Sequence, residues 1–268
     1  NPSVTQTFNN DIGLFGRVIN AEVKNLNINT TSTGTATLGG YANVGTLVGY
    51  NHKATISDIN VYNSTVTGGS GFSASGVAGY SIGGLVGYSK ANSTISNINS
   101  SLTPLTATVN SNGYYVGGLV GQNQATSSPN YSIDTSYASN SVTGQNYVGG
   151  LVGYSYYNSS ITNSYVANGS SVTGTKNVGG LVGMSDTTSS PTYPAIVTNS
   201  FYNVNNVTIN GGNYVTLGGI YNKQFTDWKP TRTALILDTY FTKDANNFYL
   251  VNASNIEFLS GFVYKTTA

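Results

Sequence analysis

A reaction centre needs side chains that can take, give or hold charge, and this sequence carries few of them. There are nine carboxylates, ten basic side chains, one His and no Cys in 268 residues. Hydrolysis or elimination on a polysaccharide needs clustered carboxylates with a cation or a basic partner. In residues 1–222 the acids are Asp11, Glu22, Asp58, Asp134 and Asp186. Asp58 and Asp134 fall near the same place in a repeating unit, two units apart, with no basic residue in step with them; a turn Asp replacing Asn accounts for each. The imidazole of His52 sits in Asn51-His52-Lys53, which reads as an exposed turn. No spacing suggests a Ser-His-Asp arrangement, and no His/Asp cluster suggests a metal site. We therefore assign no catalytic residue, no metal ligand and no cofactor, and expect a protein that is not an enzyme.

Tyrosine is the one chemically useful residue in excess, with 21 copies. Tyr50, Tyr88 and Tyr154 each directly follow a Gly-rich hexapeptide, with Gln122 and Met184 at the matching positions. Facing outward, they form a broken aromatic stripe. Aromatic faces beside amides and hydroxyls suit sugar rings or a protein partner, and stacking that merely stiffens a sheet is the alternative.

The composition narrows the partners. Only 7% of residues are charged and the formal net charge is +1, against roughly 25% charged in an ordinary soluble domain. Asn, Ser, Thr and Gly make up half the chain, so amides and hydroxyls keep it in solution. Such a weak field does not hold a phosphate backbone, which excludes nucleic acid. No apolar run approaches the roughly 18 residues of a membrane helix, so direct membrane insertion is not expected. The Asn1-Pro2 start, without a Met or a charged leader, reads as that of a processed or excised segment. Hydrophobic residues at 38% and aromatics at 12% argue for an ordered chain.

The hexapeptide recurs as Ile82-Gly83-Gly84-Leu85-Val86-Gly87, Val116-Gly117-Gly118-Leu119-Val120-Gly121, Val148-Gly149-Gly150-Leu151-Val152-Gly153 and Val178-Gly179-Gly180-Leu181-Val182-Gly183. Weaker copies are Ile12–Gly16, Val44–Gly49 and Leu217–Ile220, and the period is 30 to 39 residues. A second run follows each strong copy, as in Ile95-Ser96-Asn97, Ile161-Thr162-Asn163 and Val197-Thr198-Asn199. A third, as in Val142-Thr143-Gly144 and Val172-Thr173-Gly174, precedes the next copy, with Val207-Thr208-Ile209 as its last instance. Three β-branched runs divided by Gly, Asn and Ser clusters read as three strands and three corners. One such unit cannot bury its apolar residues, whereas stacked units share a continuous core. This predicts an all-β parallel β-solenoid of about seven coils, with like residues about 4.8 Å apart on successive coils. At a corner, Asn97, Asn163 and Asn199 tolerate the left-handed conformation and can bond one amide to the next. A bend at each Gly-Gly pair lets the flanking Val and Leu both face the core.

The units occupy residues 1–222. From 223 the repeat stops and nine of the 19 charges gather, so residues 223–268 read as a mixed cap or connector covering an open end. Ser254 to Leu259 carries a capping-box pattern for a short helix. Residues 125–131 and 185–194 read as Pro-containing loops.

The hexapeptide followed by Ile-x-Asn-Ser-Tyr resembles the GLUG-motif repeats of large bacterial surface proteins, in particular adhesins similar to filamentous haemagglutinin exported by two-partner secretion. The resemblance spans roughly residues 12–220. It implies a right-handed parallel β-helix, a place at the bacterial cell surface or outside the cell, and adhesion to a host-cell or glycan receptor. It transfers no catalytic residue. Two further readings remain open: a stalk subunit that self-associates end to end, and a polysaccharide-active β-helix enzyme.

Overall fold

The computed structural model describes residues 11–29, 43–62, 65–68, 81–98, 107–111, 114–125, 133–185, 195–220, 241–243, 249–251 and 263–264. One circuit displays the architecture. Tyr115–Gly117, Val120–Gln124, Ile133–Asp134, Tyr137–Ala138 and Asn140–Thr143 are short strands, after which Asn146–Gly149 lands beside Tyr115–Gly117. Every strand of the circuit pairs in parallel with its counterpart in the next. Five parallel sheets result, and in the order the chain visits them they are six, six, six, four and five strands deep. All regular structure among the described residues is strand. The chain is a parallel β-solenoid.

Each unit was expected to contribute three strands, and this circuit contributes five because two of the runs break. The hexapeptide bends at Gly118-Leu119, so its halves belong to the first and second sheets. With the bend, Val116, Leu119 and Val120 are all fully buried. Side chains are excluded from the bend by backbone packed on backbone. A Cβ on Gly117 would overlap the carbonyl oxygen of Val120 and lie 2.7 Å from the amide nitrogen of Gly153. One on Gly118 would overlap the carbonyl oxygen of Gly150 in the following circuit. Gly83, Gly84, Gly149 and Gly150 meet the same obstacle, while Gly179 abuts Val182 and Gly180 abuts the ring of Tyr202. Leu85, Leu119, Leu151 and Leu181 stack with 0% exposure, each contributing on the order of 1.5–3 kcal/mol through burial.

The second break is the corner. Asn25, Asp58, Asn97, Thr135, Asn163 and Asn199 all take φ between 46° and 56°, the left-handed conformation that Asn tolerates best. Their side chains link only some circuits. Asn199 Nδ2 reaches Asn163 Oδ1 at 3.5 Å and Asn97 Nδ2 reaches Asp58 Oδ1 at 3.3 Å, while Asn163 Nδ2 turns to Asp134 Oδ1 at 2.9 Å. The backbone conformation of the corner thus recurs at all six positions, while the side-chain links are interrupted.

Two assignments are corrected. Leu217–Ile220 is not a further hexapeptide: Gly219 and Ile220 pair with Tyr202 and Asn203 in the four-stranded sheet. In the third run Ile209, not Val207, stacks on Val172. Beyond residue 222, Phe241–Lys243 and Tyr249–Val251 form an antiparallel pair, and Val263–Tyr264 pairs in parallel with Tyr214–Val215. The helix expected at Ser254 to Leu259 lies outside the described residues. So does the loop expected at 125–131 apart from Ala125, and that at 185–194 apart from Ser185.

Candidate binding face

The second sheet carries the tyrosines. After the bend at Gly84-Leu85, the strand Val86–Lys90 runs from buried Val86 and Gly87 to half-exposed Tyr88, buried Ser89 and half-exposed Lys90. Parallel pairing in register carries the same positions from circuit to circuit, with the alternation kept in Val48–His52 and Val152–Tyr156 and with Gln122 buried between its neighbours in Val120–Gln124. The outward column runs Arg17, Tyr50, Tyr88, Gln122, Tyr154 and Met184. Two residues on, a second outward column runs Ile19, His52, Lys90, Gln124 and Tyr156. Tyr50, Tyr88 and Tyr154 therefore stand where their spacing put them, with Gln122 and Met184 in step.

The structure adds three rings that the spacing argument missed. Tyr115 and Tyr147 come from the first sheet, and their rings lie 5.1 and 5.4 Å from that of Tyr154. Tyr156 stacks on Tyr154 at 4.7 Å. Tyr115 and Tyr147 each immediately precede a hexapeptide, and Tyr156 follows Tyr154 at the two-residue strand period; both were readable signals. Tyr50 meets Tyr88 edge to face at 5.5 Å. The hydroxyls of Tyr88 and Tyr156, 3.5 Å apart, join the two groups of rings, and an amide bonds each of them. Tyr88 Oη donates to Gln124 Oε1, Gln122 Nε2 donates to Tyr156 Oη at 3.1 Å, and Ser81 Oγ donates to Gln122 Oε1 at 2.8 Å.

Burial pushes the phenol of Tyr88 far above its usual range, and the hydrogen bond with Tyr156 adds to this. Tyr115 is raised by burial and by Tyr147 beside it; Tyr50 is raised by burial despite Arg17 nearby. These phenols stay neutral, so the face offers apolar ring surface, hydroxyl groups and amides. Cations line one end. Arg17 lies over Tyr50 at 5.3 Å and bonds Asp11, and the Lys90 ammonium lies 5.9 Å from the Tyr88 ring centroid. Beneath the face runs a column that sequence reasoning did not find, formed by buried Asn51, Ser89, Asn123 and Ser155. Both side-chain polar atoms of Asn123 lack a partner there.

The acids and the imidazole sit elsewhere or do other work. Asp58 is a corner residue accepting from Asn97. Asp134 accepts from Thr162 Oγ1 at 2.7 Å, Asn163 Nδ2 at 2.9 Å and Thr135 Oγ1 at 2.9 Å. Burial pushes its carboxyl up, but these three donors outweigh burial and hold it below its ordinary value. His52 is not in a turn: it ends the strand Val48–His52, with its ring stacked 5.9 Å from that of Tyr50. The turn residue is Lys53, at φ 51°. Among the described residues, no three His, Cys, Asp or Glu side chains gather to hold a metal.

Fold and face together define a class: a parallel β-solenoid with an aromatic and amide surface on one flank. The family model described as the GLUG motif matches residues 144–173, one circuit that includes the hexapeptide Val148–Gly153 and the corner Asn163. No curated protein and no solved structure matches the chain.

Proposed function

We propose that the chain is a non-enzymatic, extracellular segment of a bacterial cell-surface adhesin, a rigid rod presenting its tyrosine flank to host cells or glycans. The observation that carries this reading is the convergence of six tyrosines from two sheets on one half-exposed face. Parallel ladders that use each circuit's backbone groups on the next supply the stiffness. The GLUG match supports the surface-protein context. Purified chain screened against glycans and host cells is expected to bind, and the double variant Tyr88→Ala/Tyr154→Ala to lose that signal while keeping its β-type circular dichroism. Binding unchanged in the folded double variant counts against the face.

A second reading, a stalk subunit joining end to end, draws on the first circuit. Among the described residues no strand pairs with the outer edge of Asp11–Ile12, Phe15–Ile19 or Glu22–Asn29, and Leu14, Phe15 and Ile19 are 61%, 41% and 49% exposed there. Open edges of this kind recruit further strands. Concentration-dependent sedimentation into linear oligomers, abolished by Phe15→Lys, favours the stalk.

A further inference from the structure

The flank is not uniform along the rod, and its polarity specifies a ligand. His52 and Lys90 are register partners on adjacent circuits, so their side chains leave the sheet about 4.8 Å apart at the backbone. Lys53 follows, with its amide bonded to the Lys90 carbonyl. Among the described residues neither Lys53 nor Lys90 has an ion-pair partner, and the nearby carboxylate of Asp11 is taken by Arg17 and Asn43. Beyond Lys90 the same columns hold only Gln122 and Gln124, then Tyr154 and Tyr156, then Met184. One end therefore draws negative charge, and the other offers neutral ring, hydroxyl and amide groups.

A peptide gains most of its affinity by adding a strand to a free sheet edge. This face lies within sheets whose backbone groups are already used by neighbouring circuits, so only side chains are available to a ligand. A row of neutral donors and acceptors at the circuit spacing matches a polyhydroxylated chain of ring units, and aromatic rings beside polar groups suit its amphipathic faces. We infer that the tyrosine flank is a binding site for an acidic oligosaccharide, with a carboxylate seated between His52 and Lys90 and the following sugar units lying along Tyr88, Gln124, Tyr156 and Tyr154. This rests on the adhesin reading and names its ligand class.

The test is calorimetric titration of the full chain with tetragalacturonate and sialyllactose, beside neutral cellotetraose and lactose. One acidic saccharide is expected to bind more tightly than its neutral counterpart and to weaken by about tenfold in Lys90→Gln, the loss of one charge-assisted hydrogen bond. Lys24→Gln makes the same charge change on the third sheet, beside Glu22, and is expected to leave binding unaltered. The inference is overturned if acidic and neutral saccharides bind alike or not at all. It is equally overturned if Lys24→Gln weakens binding as much as Lys90→Gln, or if polyglutamate competes as well as the saccharide, since either means unspecific anion capture. Cell binding retained without saccharide binding removes this inference and leaves the adhesin reading standing; loss of both removes both.

Discussion

The hydroxyl of Ser164 ties two circuits together: it accepts a hydrogen bond from the backbone N–H of Ser136 at 3.1 Å and donates to the carbonyl of Thr162 at 2.7 Å. Ser200 repeats this one circuit on, accepting from the Ser164 N–H at 3.1 Å and donating to Thr198 at 2.9 Å. Ser136 does the same for the Ile98 N–H at 3.3 Å. At the corner the parallel ladder is broken, and serine supplies the acceptor that the next strand does not. Ser164→Ala leaves a buried N–H without a partner, and the expected cost is about 1–3 kcal/mol, read as a lower urea midpoint. A midpoint equal to that of the unaltered chain would contradict the ladder.

Thr135 occupies the corner position at φ 46°, where a β-branched residue is strained and Asn is not. Thr135→Asn is expected to raise stability by roughly 1 kcal/mol. The Thr162 and Asn163 bonds to Asp134 remain in that variant. Thermal and urea unfolding measured side by side check the sign.

Glycines divide into two classes with different expected outcomes. Gly149→Ala drives a Cβ into the carbonyl oxygen of Val152, and to within 2.7 Å of the Gly183 nitrogen. Neither backbone atom can yield without breaking a ladder, so failure to fold or a loss of several kcal/mol is expected. Gly169 has φ 85° and nothing within 4 Å of an added Cβ, so Gly169→Ala is expected to cost only the local strain of about 1–2 kcal/mol. Soluble yield and unfolding midpoints separate the two.

Asp134 sets a direction on the acid side. A carboxyl held below its unfolded value of about 3.9 stabilises the fold fully above that pH and ceases to do so as pH falls through the folded value. The melting temperature of the unaltered chain is therefore expected to fall more steeply below about pH 4 than that of Asp134→Asn. Parallel slopes in the two proteins would show that the donors from Thr162, Asn163 and Thr135 do not favour the charged form.

Asn123 is buried with its amide unpaired between Ser89 and Ser155. Asn123→Ser makes the column uniform and removes one of the two side-chain polar atoms left without a partner there, so stability is expected to rise by about 1 kcal/mol. A fall in the unfolding midpoint would mean that the amide is satisfied within that column.

The repeat alone determined the parallel stacking of the hexapeptides, the left-handed corners at Asn97, Asn163 and Asn199, and the common column of Tyr50, Tyr88 and Tyr154. In a solenoid a fixed spacing along the chain becomes a fixed neighbour in space, because every circuit lies on the one before it. That logic stops at relationships across sheets or at the ends of the array. It did not reveal that Tyr115 lies against Tyr154, since the angle at the Gly118-Leu119 bend decides which outward side chains of the first and second sheets converge. It misassigned Leu217–Ile220, whose local pattern matched a hexapeptide while pairing sent it to another sheet. It placed His52 in a turn, although register with Lys90 keeps it in the strand. Periodicity is a property of one residue and its copies, and the chain alone expresses it; the meeting of unlike residues depends on corner geometry, which only the packed backbone defines.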